Sequence, residues 1–131
     1  MTREELESLV ARFTDAFNRE DLEAVMAFFA EDAVYDEFDG KQRAGKAEIR
    51  AAFEPQFRGD FGRMRFVTED LFVDPVSGKG LISWLCTTER KGVIRGWRGL
   101  DILHFANGLV ATKQTYAKAE RLKLEEAPKT P

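Results

Sequence analysis
The segment from Gly99 to Val110 does most to limit what this chain can fold into. Its two apolar stretches flank Asn107-Gly108, and an Asn-Gly pair between apolar runs is the strongest short-range signal for a β-hairpin. Alternation along the first strand puts Asp101, Leu103 and Phe105 on one face and Ile102 and His104 on the other. A carboxylate that shares a face with Leu and Phe must ionise against partners or stay protonated, and either arrangement is costly. Asp101 is therefore the first candidate site residue.

The rest of the chain supplies something for that hairpin to pack against. With 131 residues it has the length of one domain with a full core, burying roughly two thirds of its unfolded surface. A single domain is expected over residues 1–119, followed by a charged, proline-ended tail over 120–131 that frays. Glu4 to Asn18 sets Leu6, Leu9, Val10, Phe13 and Phe17 at helical spacing. Asp21 is placed to cap a second helix running to about Phe29. Val34 to Phe38 reads as a short strand entering an Asp39-Gly40 turn, and Lys46 to Phe53 as a third helix ended by Pro55. From Met64 onward the pattern is of strands: Met64–Asp74, Leu81–Arg90, Val93–Phe105 and Leu109–Lys118. Their tight spacing predicts an antiparallel meander. Glycines at 92, 96 and 99 permit strong bending, so the expected fold is α+β, with N-terminal helices packed on a strongly curved antiparallel sheet to form a cone with an internal cavity.

Bulk properties exclude several partner classes. No window approaches the ~20 apolar residues of a membrane-spanning helix, and Met1-Thr2-Arg3-Glu4-Glu5 turns acidic at once, without an apolar signal core. The single Cys86 rules out an internal disulfide and fits a reducing compartment, so a cytoplasmic protein is expected. A net charge of −3 argues against general affinity for nucleic acid or membranes. Arg58, Arg63 and Arg65, and again Arg90, Lys91, Arg95 and Arg98, cluster near Gly-containing turns. Without a stacking-platform motif they read as solvated hairpin ends. One cysteine and one histidine give no basis for a metal site. Cys86 itself reads as a buried small apolar residue.

Four segments carry a resemblance: Phe17-Asn18-Arg19-Glu20-Asp21-Leu22-Glu23-Ala24-Val25, Phe29-Ala30-Glu31-Asp32-Ala33-Val34, Arg43-Ala44-Gly45-Lys46-Ala47-Glu48-Ile49-Arg50 and the Asp101 hairpin. In this order they resemble the nuclear-transport-factor-2-like superfamily, in its SnoaL-like and ketosteroid-isomerase-like branch, over about Leu6 to Ala119. The resemblance implies a cone-shaped fold, a homodimer formed through the outer sheet face, a small apolar ligand and no cofactor. It implies function only broadly, because the superfamily spans isomerases, cyclases, dehydratases, epoxide hydrolases and inert binding domains.

Ketosteroid isomerases use a carboxylate base at the end of the first strand, and that position falls on Glu37, with Asp36 as the substitute if the strand slips by one residue. They also use a protonated aspartate to donate a hydrogen bond to the enolate oxygen, a role that maps onto Asp101. A helix tyrosine is their third element, and Phe13 stands there instead. Losing one such donor typically costs about 10²–10³ in rate. The epoxide-hydrolase branch requires an arginine where this chain has Gly99. The dehydratase branch uses a pocket histidine, whereas His104 lies opposite Asp101. Candidate ligand-contacting residues are Phe13, Phe17, Tyr35, Trp97, Leu103 and Tyr116, with ordinary core packing the competing role for the aromatics. Tyr116 would replace the missing helix tyrosine in one register of the last strand. In the other, Lys113, Thr115 and Ala117 face the pocket, and Lys113 would favour an ionised Asp101.

Overall fold
Six strands and three helices account for nearly all of residues 1–118, which are those that the structure, a computed structural model, describes. The expected tail over 120–131 lies outside the described residues. Helix α1 (Arg3–Asn18) opens with a reciprocal cap: Glu5 N–H donates to Thr2 Oγ1 at 3.1 Å, and Thr2 N–H donates to Glu5 Oε2 at 3.0 Å. This arrangement satisfies two donors that helix geometry leaves open. Its buried face carries Leu6, Leu9, Val10, Phe13 and Phe17, as the spacing predicts. Asp21 caps α2 (Leu22–Ala27) by accepting from Ala24 N–H at 3.0 Å. That helix stops two residues short of Phe29, which instead opens β1 (Phe29–Asp36). The chain then forms β2 (Gln42–Ala44), a three-residue strand without a clear sequence signal, and α3 (Lys46–Phe57).

Pro55 does not end α3 but lies inside it. Proline removes one intrahelical bond near the end of the helix. Arg58 N–H still reaches Glu54 O at 2.8 Å, and the rings of Phe53 and Phe57 pack against Phe17 at 5.3 and 5.8 Å. Tertiary packing thus holds the last turn that proline would otherwise weaken.

Strands β3 (Arg63–Asp74), β4 (Lys79–Arg90), β5 (Val93–Ala106) and β6 (Leu109–Ala117) form the expected antiparallel meander. The sheet order is β2-β1-β6-β5-β4-β3, because β1 joins β6 in parallel. The helices cover the concave face. Asn18, at the end of α1, accepts from Phe66 N–H at 2.7 Å and donates to Phe66 O at 2.8 Å, tying the helix to the edge strand β3. The core includes Leu6, Val10, Phe13, Phe29, Ile82 and Leu103, each at most 1% exposed. It closes one end of the cone and leaves the other end open.

Asn107 and Gly108 both take positive φ, 53° and 76°, as a two-residue hairpin turn requires. The register then slips. Phe105 pairs with Val110, but His104 pairs with Thr112, so Ala111 is an extra residue on β6. Such a bulge reverses the facing of everything beyond it. Without it Asp101 would oppose Gln114; with it Asp101 opposes Thr115, and Leu103 opposes Lys113. The bulge therefore selects the register in which Lys113 and Thr115 face inward.

Candidate functional site
A cavity of about 830 Å³ occupies the open half of the cone. Alternation on β1 buries Ala33 and Tyr35 and turns Glu37 toward the same side, while Asp36 points away and accepts from Gln42 Nε2 at 2.8 Å. Of the two neighbouring carboxylates, Glu37 is the one that lines the cavity. β5 contributes Asp101 and Trp97, β4 contributes Trp84, and β6 contributes Lys113 and Thr115. Phe13, Phe17, Tyr35 and Phe53 supply aromatic wall from the helices and β1.

Asp101, 8% exposed, is the centre of the floor. Its Oδ2 accepts from Trp84 Nε1 at 3.1 Å, and its Oδ1 accepts from Thr115 Oγ1 at 2.6 Å. Lys113 Nζ lies 3.1 Å from Oδ1 and donates to Thr115 Oγ1 at 2.7 Å. The threonine hydroxyl thus accepts from the ammonium and donates to the carboxylate. Among the described residues no buried side-chain nitrogen or oxygen lacks a partner.

Aromatic rings surround the rest of the ammonium group. The Tyr35 centroid is 4.3 Å from Nζ, with those of Phe53 and Phe17 at 5.7 and 5.9 Å, a set of cation–π contacts. Tyr35 and Lys113 are register partners across the parallel β1–β6 pair. Burial alone would pull the Lys113 pKa down, but the charge of Asp101, helped by Tyr35, more than reverses it and holds the ammonium above its usual range. Burial also raises the Tyr35 phenol.

Asp101 thus sits in a saturated network, with Trp84, Thr115 and Lys113 as its partners. Three donors converge on its oxygens, one of them a buried cation.

Gly99 makes this geometry possible. It pairs with Trp84 across β4–β5, and a Cβ at that position would stand 2.5 Å from the Trp84 ring and from Tyr116 O. The indole needs that gap to lie flat on β5 and reach Asp101.

Glu37 faces the cavity nearer its mouth and forms an ion pair with Arg43 at 2.7 Å. Two other candidates are not at the site. Leu103 is fully buried in the core and does not touch the cavity; Tyr116 is 57% exposed on the outer face, turned there by the bulge. Cys86 is buried as expected, and burial pushes its thiol pKa up to about 12, so it is no nucleophile at neutral pH. His104 does not line the cavity. Among the described residues, no three His, Cys, Asp or Glu side chains gather as a metal site would require, and no helix is long and apolar enough to cross a membrane.

A family model described as the SnoaL-like domain matches residues 10–112. No curated protein matches the chain. Among solved structures, the fold is similar to that of Bal32a from a soil-derived mobile gene cassette, at 21% identity and a TM-score of 0.75, covering 88% of this chain and 90% of that one. It is also similar to a candidate ketosteroid isomerase from Kribbella flavida, at 18% identity and a TM-score of 0.75, covering 98% and 93%. A candidate polyketide cyclase from Xanthomonas campestris pv. campestris matches at 20% identity and a TM-score of 0.71, covering 87% and 90%. At these identities the likeness concerns the fold alone.

Proposed function
This chain belongs to the SnoaL-like domain family, and we propose that its cavity binds a small, largely apolar carbonyl compound and transfers a proton on it without a cofactor. The observation that carries this reading is the saturated Asp101–Lys113–Thr115 group at the floor of an aromatic-walled cavity of about 830 Å³. Protein interiors are ordinarily close-packed, so an opening of this size is space kept for a ligand.

The roles follow from charge. Lys113, held cationic by Asp101 behind the aromatic wall, offsets through space the negative charge that develops on a carbonyl oxygen in the cavity. Glu37, on the same cavity, removes the proton from the adjacent carbon. The C–H electron pair moves into the new C=C bond as the carbonyl oxygen becomes enolate. Where the compound carries a β,γ double bond, return of the proton to the γ-carbon shifts that bond into conjugation and gives isomerisation; attack of the enolate carbon on a second carbonyl of the same molecule, whose oxygen then takes the proton, gives cyclisation. Arg43 orients Glu37, and Trp97 forms a wall.

A second reading, a ligand-binding domain without catalysis, is favoured by the Glu37–Arg43 ion pair, which occupies one oxygen of the base. Deuterium exchange α to the carbonyl of a bound ketone separates the two. With catalysis, Glu37→Gln abolishes exchange and keeps ligand affinity; equal exchange in wild type and variant overturns the mechanism. Native mass spectrometry before and after organic extraction tests the cavity itself. The homodimer belongs to the same proposal: Val67, Phe72, Ile94 and Tyr116 are more than half exposed on the outer sheet face. A monomer mass in light scattering at micromolar concentration would remove it.

A further inference from the structure
One side of the cavity, at the β4–β5 tip, is cationic, although the chain as a whole is acidic and Glu37 and Asp39 line the same cavity. Arg90, Lys91 and Arg95 all line it. The β4–β5 register explains how: Arg90 opposes Val93, Thr88 opposes Arg95 and Cys86 opposes Trp97. Every second residue of β5 from Val93 to Asp101 therefore shares the concave face. Lys91 and Gly92, at φ 53° and 78°, close the tip in a tight turn and fix Arg90 beside it.

These three cations differ from others near the opening. Lys41, Arg43 and Arg58 each have a carboxylate partner within 4 Å, whereas among the described residues Arg90, Lys91 and Arg95 have none. Asp60 senses Arg90, but its carboxylate is already held by Arg58 at 2.6 and 3.1 Å. Like charges gathered without a direct carboxylate partner raise the local potential at this tip, and a concave low-dielectric wall focuses it.

We propose that the ligand is an elongated amphipathic anion, its carbonyl at the Asp101–Lys113 floor and its anionic head between Arg90, Lys91 and Arg95 at the mouth. Six residues of strand separate Asp101 from Arg95, about 20 Å of extended backbone. Trp97, Trp84, Phe66 and Met64 line the stretch between the two polar ends. The sequence of surfaces is polar floor, apolar middle, cationic rim, and it matches a keto acid with an apolar chain better than a neutral compact ketone. A guanidinium pair suits a carboxylate because its fork donates two parallel hydrogen bonds. This inference rests on the ligand-binding reading above.

The test uses the full chain and two matched probes, a medium-chain keto acid and its methyl ester, titrated calorimetrically at low and high ionic strength. The acid should bind about tenfold more tightly than the ester at low salt, with the preference shrinking as salt screens the rim. An Arg90→Gln, Arg95→Gln double variant should lose most of that preference while binding the ester as wild type does. If both probes bind wild type equally well, the anionic head is wrong and the cavity reading stands; if neither binds, both fall. Co-sedimentation with anionic vesicles, together with equal affinity for acid and ester, would assign the cations to a lipid surface and likewise overturn the proposal.

Discussion

Two ion pairs border the same cavity, and solvent separates their behaviour. Lys113 and Asp101 have side chains only 6% and 11% exposed, with Trp84, Thr115 and an aromatic cage completing every contact. Arg43 and Glu37 are 36% and 15% exposed, at a turn, with the guanidinium open to water. In the first pair each charge depends on the other, because neither has water to fall back on. In the second, water can replace either partner at little cost. A fixed electrostatic floor beside an adjustable carboxylate is what the proposed proton transfer calls for: one group would hold its charge through the reaction, and the other would change it.

The comparison is broken most severely at Lys113. Lys113→Met leaves the Asp101 carboxylate buried without its cation, and about 3–5 kcal/mol of stability should be lost at neutral pH, measured by urea unfolding. Replacing both members, Asp101→Leu with Lys113→Met, should recover most of that loss, since a pair of apolar side chains leaves no stranded charge. If the single variant unfolds at the wild-type midpoint, water reaches the pair and the contrast between floor and mouth disappears.

Gly99→Ala attacks the same floor through shape. The added methyl meets the Trp84 ring and Tyr116 O at 2.5 Å, so the indole must lift away and release Asp101. Overpacking of this kind typically costs about 1–3 kcal/mol. Tryptophan fluorescence should change along with the unfolding midpoint. An unchanged spectrum would mean the backbone yields and the indole stays in place.

A pH titration sharpens the contrast from the alkaline side. Burial raises the Cys86 thiol from 9.0 to about 12 and lifts the Tyr35 phenol, while Asp101 and Tyr35 outweigh burial to raise Lys113. In each case the folded state keeps a proton that the unfolded chain surrenders. These contributions are complete below about pH 9, and stability should fall as pH climbs toward 12. Cys86→Ala should flatten the early part of that fall, with the later part reporting Tyr35 and Lys113. A flat profile across this range would show that the interior opens to solvent.

How much of this was legible in the sequence depended on range. The amphipathic face of α1, the Asp21 cap and the Asn107-Gly108 hairpin rest on neighbours within a few residues, and they stand where the pattern put them. The Thr2–Glu5 capping box carries a readable signature of the same kind. The β1–β6 parallel pairing and the short β2 depend on partners far along the chain, and no local signal announces them. Pro55 was misleading because tertiary contacts, not the local bond, hold the end of α3. Asp101 stood out as a carboxylate on an apolar face, but its partner turned on one extra residue at Ala111. Alternation alone could not choose between Lys113 and Tyr116. Which of Glu37 and Asp36 lines the cavity followed as soon as Tyr35 was fixed inside.

Glu37→Gln is expected to have the smallest effect on stability and, if the cavity is catalytic, the largest on rate. The amide keeps the size of the side chain and can still accept from Arg43 through its oxygen, so the unfolding midpoint should move far less than in Lys113→Met. It cannot take up a proton as a carboxylate does, so exchange at the α-carbon should fall to background while ligand still binds. Asp101→Asn should behave in the opposite way, losing stability because Lys113 is left buried without its counter-charge. Stability and rate measured on the same pair of variants therefore resolve the two regions. If Glu37→Gln is the more unstable of the two, the mouth rather than the floor is the rigid element, and the contrast between the two pairs is reversed.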